Sequence, residues 1–526
     1  MDGLAILLLA AAVGHMLALR LRVPAAPALM LCGVLVARTG MVPTALLEGG
    51  LILGATFLLF ATGIELDPAR VRTQRPVAIR VGVLQFSVLG AAGFATALLM
   101  GYGRVSALYL GLALTASSTL VVVGLLQRRA RFFEPSARLV IGVLLLQDVL
   151  VVLLVPPLMR LAEGVTAVLA SLVGSIALLL LAGFVLRRVS PQLLRLAKDE
   201  ETLLLSALAL LFAFIGMAGW LRLPVVVGAF LAGVSLARFP VNGIVRPHLD
   251  SIADFFTAIF YTALGAVLEP GPGDLLRAAL LAGLVLIVTP PLVAFIAERY
   301  GFSSRAALES GLLLSQTSEM SLIVGLSGML AGQITQSVFT IIALVTVITM
   351  MLTPFLATDR LVWWVLRRYP ERRSPVLPVS GHVLLLGSGT TGMPVLETIL
   401  AAGHDVVVVD DDPAVIGRLR QADIPCIRGD ATDPQVLRDA RADRARIISS
   451  TIRRPEDNRR LLEFARGVPV LVRVFDEGDA AWVRALGGIP IVYSEAAADG
   501  LLRWFDRTFG RAASRERGGA VAQLPD

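Results

Sequence analysis

The sequence predicts a polytopic α-helical membrane protein of about thirteen spans, followed by a C-terminal α/β Rossmann-like domain. Three observations carry this. The 526 residues are 56% hydrophobic and only 17% charged, too apolar for an ordinary soluble chain. Apolar runs of about twenty residues, the length that crosses a bilayer, recur up to residue 357. Beyond that point the runs shorten to strand length, and a Gly-rich turn stands between a strand and a helix.

The spans are expected near residues 2–19, 24–43, 48–66, 77–100, 105–126, 137–159, 164–186, 202–221, 223–238, 252–269, 274–296, 306–330 and 334–356. The first has Asp2 ahead of it and Arg20/Arg22 behind, the reverse of a secretory signal, so it reads as an uncleaved span. Arginines cluster on alternate connections: Arg20/Arg22, Arg70/Arg72/Arg75, Arg128/Arg129/Arg131, Arg187/Arg188/Arg195 with Lys198, Arg238/Arg246, Arg299/Arg305 and Arg360/Arg367/Arg368. The positive-inside rule then puts the N-terminus outside and the C-terminal tail in the cytoplasm. This explains the net charge of +7 as topology rather than a nucleic-acid surface, and no nucleic-acid partner is expected. Cys32 and Cys426 suit neither a disulfide framework nor a zinc site, and His15, His248, His382 and His404 are scattered.

Within the sixth span, IGVLLLQDVLVVLL, stands Asp148 with Gln147 beside it. A carboxylate near the bilayer midplane costs roughly 2.5–3.5 kcal/mol on insertion scales, so such residues mark ion or proton routes. A structural acid bonded to a neighbouring helix is the alternative. The fifth span carries Thr115, Ser117, Ser118 and Thr119 in its middle, and the twelfth carries Ser315, Gln316, Thr317, Ser318, Glu319 and Ser321. Seven places apart in order, these spans run in opposite directions. Paired broken helices in inverted halves indicate a transporter site at the midplane, although Ser/Thr clusters also serve helix packing. Glu65, Asp67 and Glu269 fall at span ends and read as mouth features.

Four domains are expected: 1–357 in the membrane, 358–380 as a membrane-edge helix and linker, 381–510 as a soluble α/β unit, and 511–526 as a disordered tail. In the soluble unit HVLLLGSGTTGMPVLETILAAGHDVVVVDDDP reads strand, turn, helix, strand. Gly387, Gly389 and Gly392 have GxGxxG spacing, and Asp410 ends the second strand where a ribose-binding acid belongs. Further strands follow at PCIRGDATD, ARIISSTI, VPVLVRVFD and IPIVYSE.

ATGIELDP, LTASSTLVV, LLLQDVLVV, FYTALGAVLEP, SQTSEMSLIV, GSGTTG, VVVVDDDP and GDATD, in this order, resemble the monovalent cation:proton antiporter-2 family in its Kef-type form, with a C-terminal TrkA-N (KTN/RCK-like) domain. The resemblance implies the inverted-repeat Na⁺/H⁺ antiporter fold and an elevator mechanism. Asp148 would alternately bind a proton and the transported cation, K⁺ ahead of Na⁺, and would be the metal-ion ligand. Gln147 stands where electrogenic relatives carry a second acid, which implies electroneutral exchange. Thr115, Ser117, Ser118, Thr119, Gln316, Ser318 and Glu319 would complete the cation's shell or shape the crossing.

For the tail it implies a regulatory nucleotide, NAD(H) or AMP, ADP or ATP. The residues holding it would be Gly387, Ser388, Gly389, Thr390, Thr391, Gly392, Asp410, Asp411, Asp430 and Ala431. Glutathione-gated members carry Arg and Phe where this chain has Thr390 and Thr391, which argues against such gating, although Arg473 keeps a basic residue on a later strand. A homodimer in the bacterial inner membrane follows from the same resemblance, as does transport rather than enzyme activity. Two other readings stand beside this one. A ligand-gated K⁺ efflux channel-like system would conduct rather than exchange, but no TVGYG-type filter occurs. A membrane-anchored NAD-dependent oxidoreductase would need a substrate domain that the tail does not offer.

Overall fold

The computed structural model describes the chain except residues 1, 22, 39, 66–74, 129–134, 193–199, 238–240, 301, 303, 367–378, 390–391, 453–454, 466, 494–497, 499 and 504–526. The expectations placed on Asp67, Thr390, Thr391, several loop arginines, most of the linker and the tail lie outside the described residues. Two compact units are present: Met1–Tyr300 with Ser304–Arg368, and Tyr369–Asp526 with Gly301–Ser303.

In the first unit, among the described residues, eight helices are long and apolar enough to cross a membrane. A helix rises 1.5 Å per residue, so about twenty residues span the hydrocarbon core. Two others are short, Ala25–Ala37 and Val225–Leu236. Each starts behind a proline, Pro24 (φ −56°, ψ 143°) and Pro224 (φ −58°, ψ 144°). Proline fixes φ and lacks an N–H, so it suits the edge of a helix and not its interior.

These two short helices belong to an internal repeat. LRVPAAPALMLCGVLVAR at 21–38 and LRLPVVVGAFLAGVSLAR at 221–238 align 200 residues apart, with Pro24 matching Pro224 and Gly33 matching Gly233. A second pair of the form G-x-x-L-[D/E]-P occurs at 63–68 and 265–270. The packing is reciprocal. A Cβ on Gly33 would lie 2.0 Å from the Thr262 carbonyl oxygen, in the Val241–Val267 helix. A Cβ on Gly233 would lie 2.1 Å from the Phe60 carbonyl oxygen, in the Thr44–Glu65 helix. Each short helix thus presses its backbone onto the long helix of the other half, which only small residues allow.

A second group packs beside this one: Arg75–Leu99, Arg104–Ala113, Thr119–Arg128, Pro135–Met159, Asp274–Arg299, Ser304–Leu314, Glu319–Leu330 and Gln336–Leu356. At one end the Tyr109 hydroxyl donates to Gln333 Oε1 (3.0 Å), and the Gln333 amide donates to the Met159 carbonyl. The Gln333 amide therefore ties the Asp148 helix to the first broken helix.

The second unit is a six-stranded parallel sheet in the order β3-β2-β1-β4-β5-β6, with β1 Val383–Leu386, β2 Val406–Asp410, β3 Cys426–Arg428, β4 Ile447–Ser450, β5 Val470–Val474 and β6 Ile489–Val492. Leu384, Leu386 and Val407 feed one core and Leu385, Val406 and Val408 the other. Both faces of the central strands are covered, which is why they read as unbroken apolar runs. Strand order reverses between β1 and β4, so a crevice opens at the carboxyl ends there.

His382, just before β1, is 1% exposed; Nε2 faces the Ala440 carbonyl at 3.1 Å and must donate to it. Nδ1 is buried without a hydrogen-bond partner among the described residues, and burial pushes this imidazole below the usual histidine value. Burial favours the neutral imidazole in the folded unit, while the unfolded chain protonates it below about pH 6.5. Stability is therefore complete above that pH and falls as the pH drops through it towards the lower folded value. Melting of the full-length protein between about pH 8 and about pH 5 should show this loss, reduced in His382→Gln. Equal slopes for both would remove His382 as the cause.

Candidate functional site

The site is built where two helices stop and restart. Residues 114–118 interrupt the fifth span between Arg104–Ala113 and Thr119–Arg128. Residues 315–318 interrupt the twelfth between Ser304–Leu314 and Glu319–Leu330. A helix end leaves carbonyls and N–H groups unpaired, and in a membrane none can turn to water.

The two breaks satisfy each other. Ser117 Oγ donates to the Leu314 carbonyl (2.8 Å), and Ser321 Oγ donates to the Ala113 carbonyl (2.5 Å). Each serine thus caps the C-terminal end of the opposite half-helix. The Ser117 backbone N–H donates to Gln147 Oε1 at 3.0 Å. Thr115 Oγ1 closes its own half-helix on the Leu112 carbonyl (2.7 Å). Ser318 caps the next half-helix by accepting from Met320 N (2.9 Å), and Ser321 Oγ in turn accepts from Ser318 N (3.3 Å).

Two carboxylates stand at this crossing. Ser118 Oγ donates to Glu319 Oε1 (3.0 Å), at the first residue of a half-helix, where the positive end of the dipole favours an anion. Thr119 Oγ1 lies 3.4 Å from Asp148 Oδ2 as a long hydrogen bond, and Asp148 is 2% exposed. Among the described residues no Lys or Arg forms an ion pair with Asp148. Glu65 is partly exposed at the end of its helix. Glu269 is exposed at its helix end.

Polar capacity is left over here. Gln147 Nε2 and Gln316 Oε1 are buried without hydrogen-bond partners among the described residues, while Gln316 Nε2 makes long contacts to the Ser118 and Leu313 carbonyls at 3.5 and 3.4 Å. Tyr261, from the tenth span, brings a fully buried hydroxyl next to Glu319. Reading that span for charge misses Tyr261; an aromatic hydroxyl at the centre of FYTALG was the available signal.

In the second unit, Gly387 adopts φ +83°, and a Cβ on Gly392 would sit 2.1 Å from the Gly387 carbonyl oxygen. Asp410 Oδ2 accepts from the Ser388 backbone N–H (2.6 Å) and hydroxyl (3.2 Å), and its Oδ1 accepts from Asp412 N (2.9 Å). The acid thus braces the Gly-rich turn while retaining lone pairs for ribose hydroxyls. Thr451, after β4, donates to the Gly387 carbonyl at 2.8 Å across the strand-order reversal. Asp411, next in sequence to Asp410, is exposed. Asp430 accepts from Thr432 N and Oγ1 (2.8 and 2.7 Å), which shapes the turn, and Ala431 packs on the core. The residues present fit a dinucleotide or adenine nucleotide: a glycine cradle, a helix N-terminus and an acid.

Residues 4–358 match the sodium/hydrogen exchanger transmembrane family, and residues 383–494 match the TrkA-N domain. The putative cation/proton antiporter YbaL of Escherichia coli K12 is 24% identical, over 91% of this chain and 92% of that protein. The glutathione-regulated potassium-efflux protein KefC of Salmonella schwarzengrund is 26% identical, over 79% of this chain and 68% of that protein. Among solved structures, the TrkA-N domain of Escherichia coli ybaL aligns at 20% identity and TM-score 0.23, covering 24% of this chain and 98% of that one. The GsuK channel bound to NAD aligns at 20% identity and TM-score 0.21, covering 41% and 40% of the two chains.

Proposed function

Because the chain belongs to the sodium/hydrogen exchanger family, we propose that it is a Kef-type cation/proton antiporter in which Asp148 binds a proton and a cation in turn. It is a membrane transporter, not an enzyme, with a TrkA-N domain as its regulatory part. The observation that carries the mechanism is a buried acid, without an ion-pair partner among the described residues, beside two crossed helix breaks. A carboxylate out of water is not stable bare; it takes up either a proton or a cation. With one exchangeable acid the two occupants exclude each other, and alternating access then couples their fluxes. Gln147 cannot ionise, so one proton leaves for each monovalent cation that enters. Thr119 orients Asp148, while Gln316, Ser318 and Glu319 with Thr115, Ser117 and Ser118 shape the crossing and complete the cation's shell.

The relatives' names support a cation substrate and favour K⁺ over Na⁺. In this reading the site-bearing helix group moves against the reciprocal glycine-packed group, thirteen crossings leave the N-terminus outside, and the nucleotide unit works in the cytoplasm of a bacterial homodimer. NAD(H) or an adenine nucleotide binds at Gly387–Gly392 and Asp410 and sets activity. In proteoliposomes, K⁺ should collapse an imposed pH gradient without steady-state current. A current that persists during exchange would overturn the electroneutral stoichiometry, and no collapse with K⁺ or Na⁺ would overturn antiport.

A further inference from the structure

The two halves hold their breaks in the same way, and this identifies a residue outside the acid's own half. Ser117 and Thr317 are 200 residues apart, the same interval as Pro24 to Pro224 and Gly33 to Gly233. Each is a residue of its break whose backbone N–H is held by a side chain from another helix. Ser117 N–H donates to Gln147 Oε1 at 3.0 Å. Thr317 N–H donates to Thr349 Oγ1, also at 3.0 Å. Gln147 lies in the unbroken helix that follows the first break, and Thr349 in the unbroken helix that follows the second, Gln336–Leu356.

The chemistry around Thr317 is matched donor to acceptor. Thr346 Oγ1 gives its proton to the Ile342 carbonyl (3.0 Å), and Thr349 Oγ1 gives its proton to the Val345 carbonyl (2.9 Å). Both hydroxyls therefore turn lone pairs outward. Thr317 brings two donors to meet them, its N–H and its hydroxyl, the latter 3.1 Å from Thr346 Oγ1 and 3.1 Å from Thr349 Oγ1. All three side chains are at most 1% exposed, so no solvent can substitute. Ser318, the next residue, caps the half-helix that begins with Glu319, and Gln316, the one before, reaches across to the Ser118 carbonyl.

We propose that Thr349, with Thr346, is a positioning residue for cation exchange, the counterpart in the second half of Gln147 in the first. It touches no transported ion. It fixes the path of residues 315–318, and through them the placement of Gln316 and Glu319 at the crossing. The inference rests on the antiport reading, with Asp148 as the exchanging acid.

The test is cation-driven collapse of a pH gradient in proteoliposomes of the full chain, read as half-saturating cation concentration and as maximal rate. Thr349→Val keeps the shape and removes the acceptor. It should raise the half-saturating concentration roughly tenfold, the size of one net hydrogen bond, with a smaller change in maximal rate. Thr349→Ser should restore it to within about twofold. Thr353→Val is the control, because its hydroxyl bonds only the Thr349 carbonyl (2.8 Å) and should leave affinity unchanged. If Thr349→Val does not fold, Thr317→Ala, which removes one donor and keeps the acceptors, should shift affinity in the same direction. Wild-type affinity in folded Thr349→Val or in Thr317→Ala, while Asp148→Asn is inactive, overturns this proposal alone. Full activity in Asp148→Asn overturns the reading on which it rests.

Discussion

Asp148→Asn should reduce cation-driven proton flux to that of protein-free vesicles. The substitution is nearly isosteric, and an amide can still accept the Thr119 hydroxyl that lies 3.4 Å from the carboxylate. It cannot take up or release a proton in the physiological range, and it carries no charge to hold a cation. Both halves of the exchange are lost by replacing one oxygen, without opening a cavity. Binding offers a separate check. A cation that binds only the folded state at about 100 times its dissociation constant stabilises it by about 2.7 kcal/mol. Wild type should therefore melt at higher temperature in saturating K⁺ than in a non-transported cation, and Asp148→Asn should show no difference. Retained flux in the variant would move the proton-carrying role elsewhere in the crossing, with Glu319 as the next acid to substitute.

The site was legible because its chemistry contradicts its surroundings. Asp148 and the two Ser/Thr clusters stand out in spans that are otherwise apolar, and all of them are buried. What span reading could not supply is which donor meets which acceptor. The reciprocal capping of Ala113 and Leu314 by Ser321 and Ser117 depends on tertiary contact between segments about 200 residues apart in sequence. Thr346 and Thr349 do not stand out in the letters for a related reason: in an apolar helix a threonine looks like packing until its partner is seen. The repeat joining residues 21–38 to 221–238 was legible in the letters themselves, but hydropathy treats both as featureless apolar runs. The C-terminal α/β unit was the most legible part. Its Gly-rich turn, strand-end acid and later strands follow from local rules of turn and strand chemistry. The bracing of Ser388 by Asp410 does not, because it joins residues 22 apart through the sheet.

Gly392→Ala and Gly389→Ala should both weaken nucleotide binding, but for separable reasons. The Cβ introduced at Gly392 would lie 2.1 Å from the Gly387 carbonyl oxygen and 2.9 Å from its carbon. That carbonyl cannot yield easily, because it accepts the Thr451 hydroxyl at 2.8 Å. Overpacking of this kind costs about 1–3 kcal/mol, so Gly392→Ala should lower the melting temperature of the unit as well as its affinity for NADH or ATP. At Gly389 no atom lies within 4 Å of an added Cβ. The residue is exposed, so the unliganded fold has no reason to object. A bound pyrophosphate does, because the second glycine of this fingerprint lets the backbone approach it. Gly389→Ala should therefore melt like wild type and bind nucleotide at least about tenfold more weakly by calorimetry on the full-length protein. Cation exchange without nucleotide should be unchanged in Gly389→Ala, and the response to added nucleotide should shift to higher concentration. Wild-type affinity in this variant would mean that the pyrophosphate does not lie over the turn, and that the fold is kept for its contacts rather than its ligand.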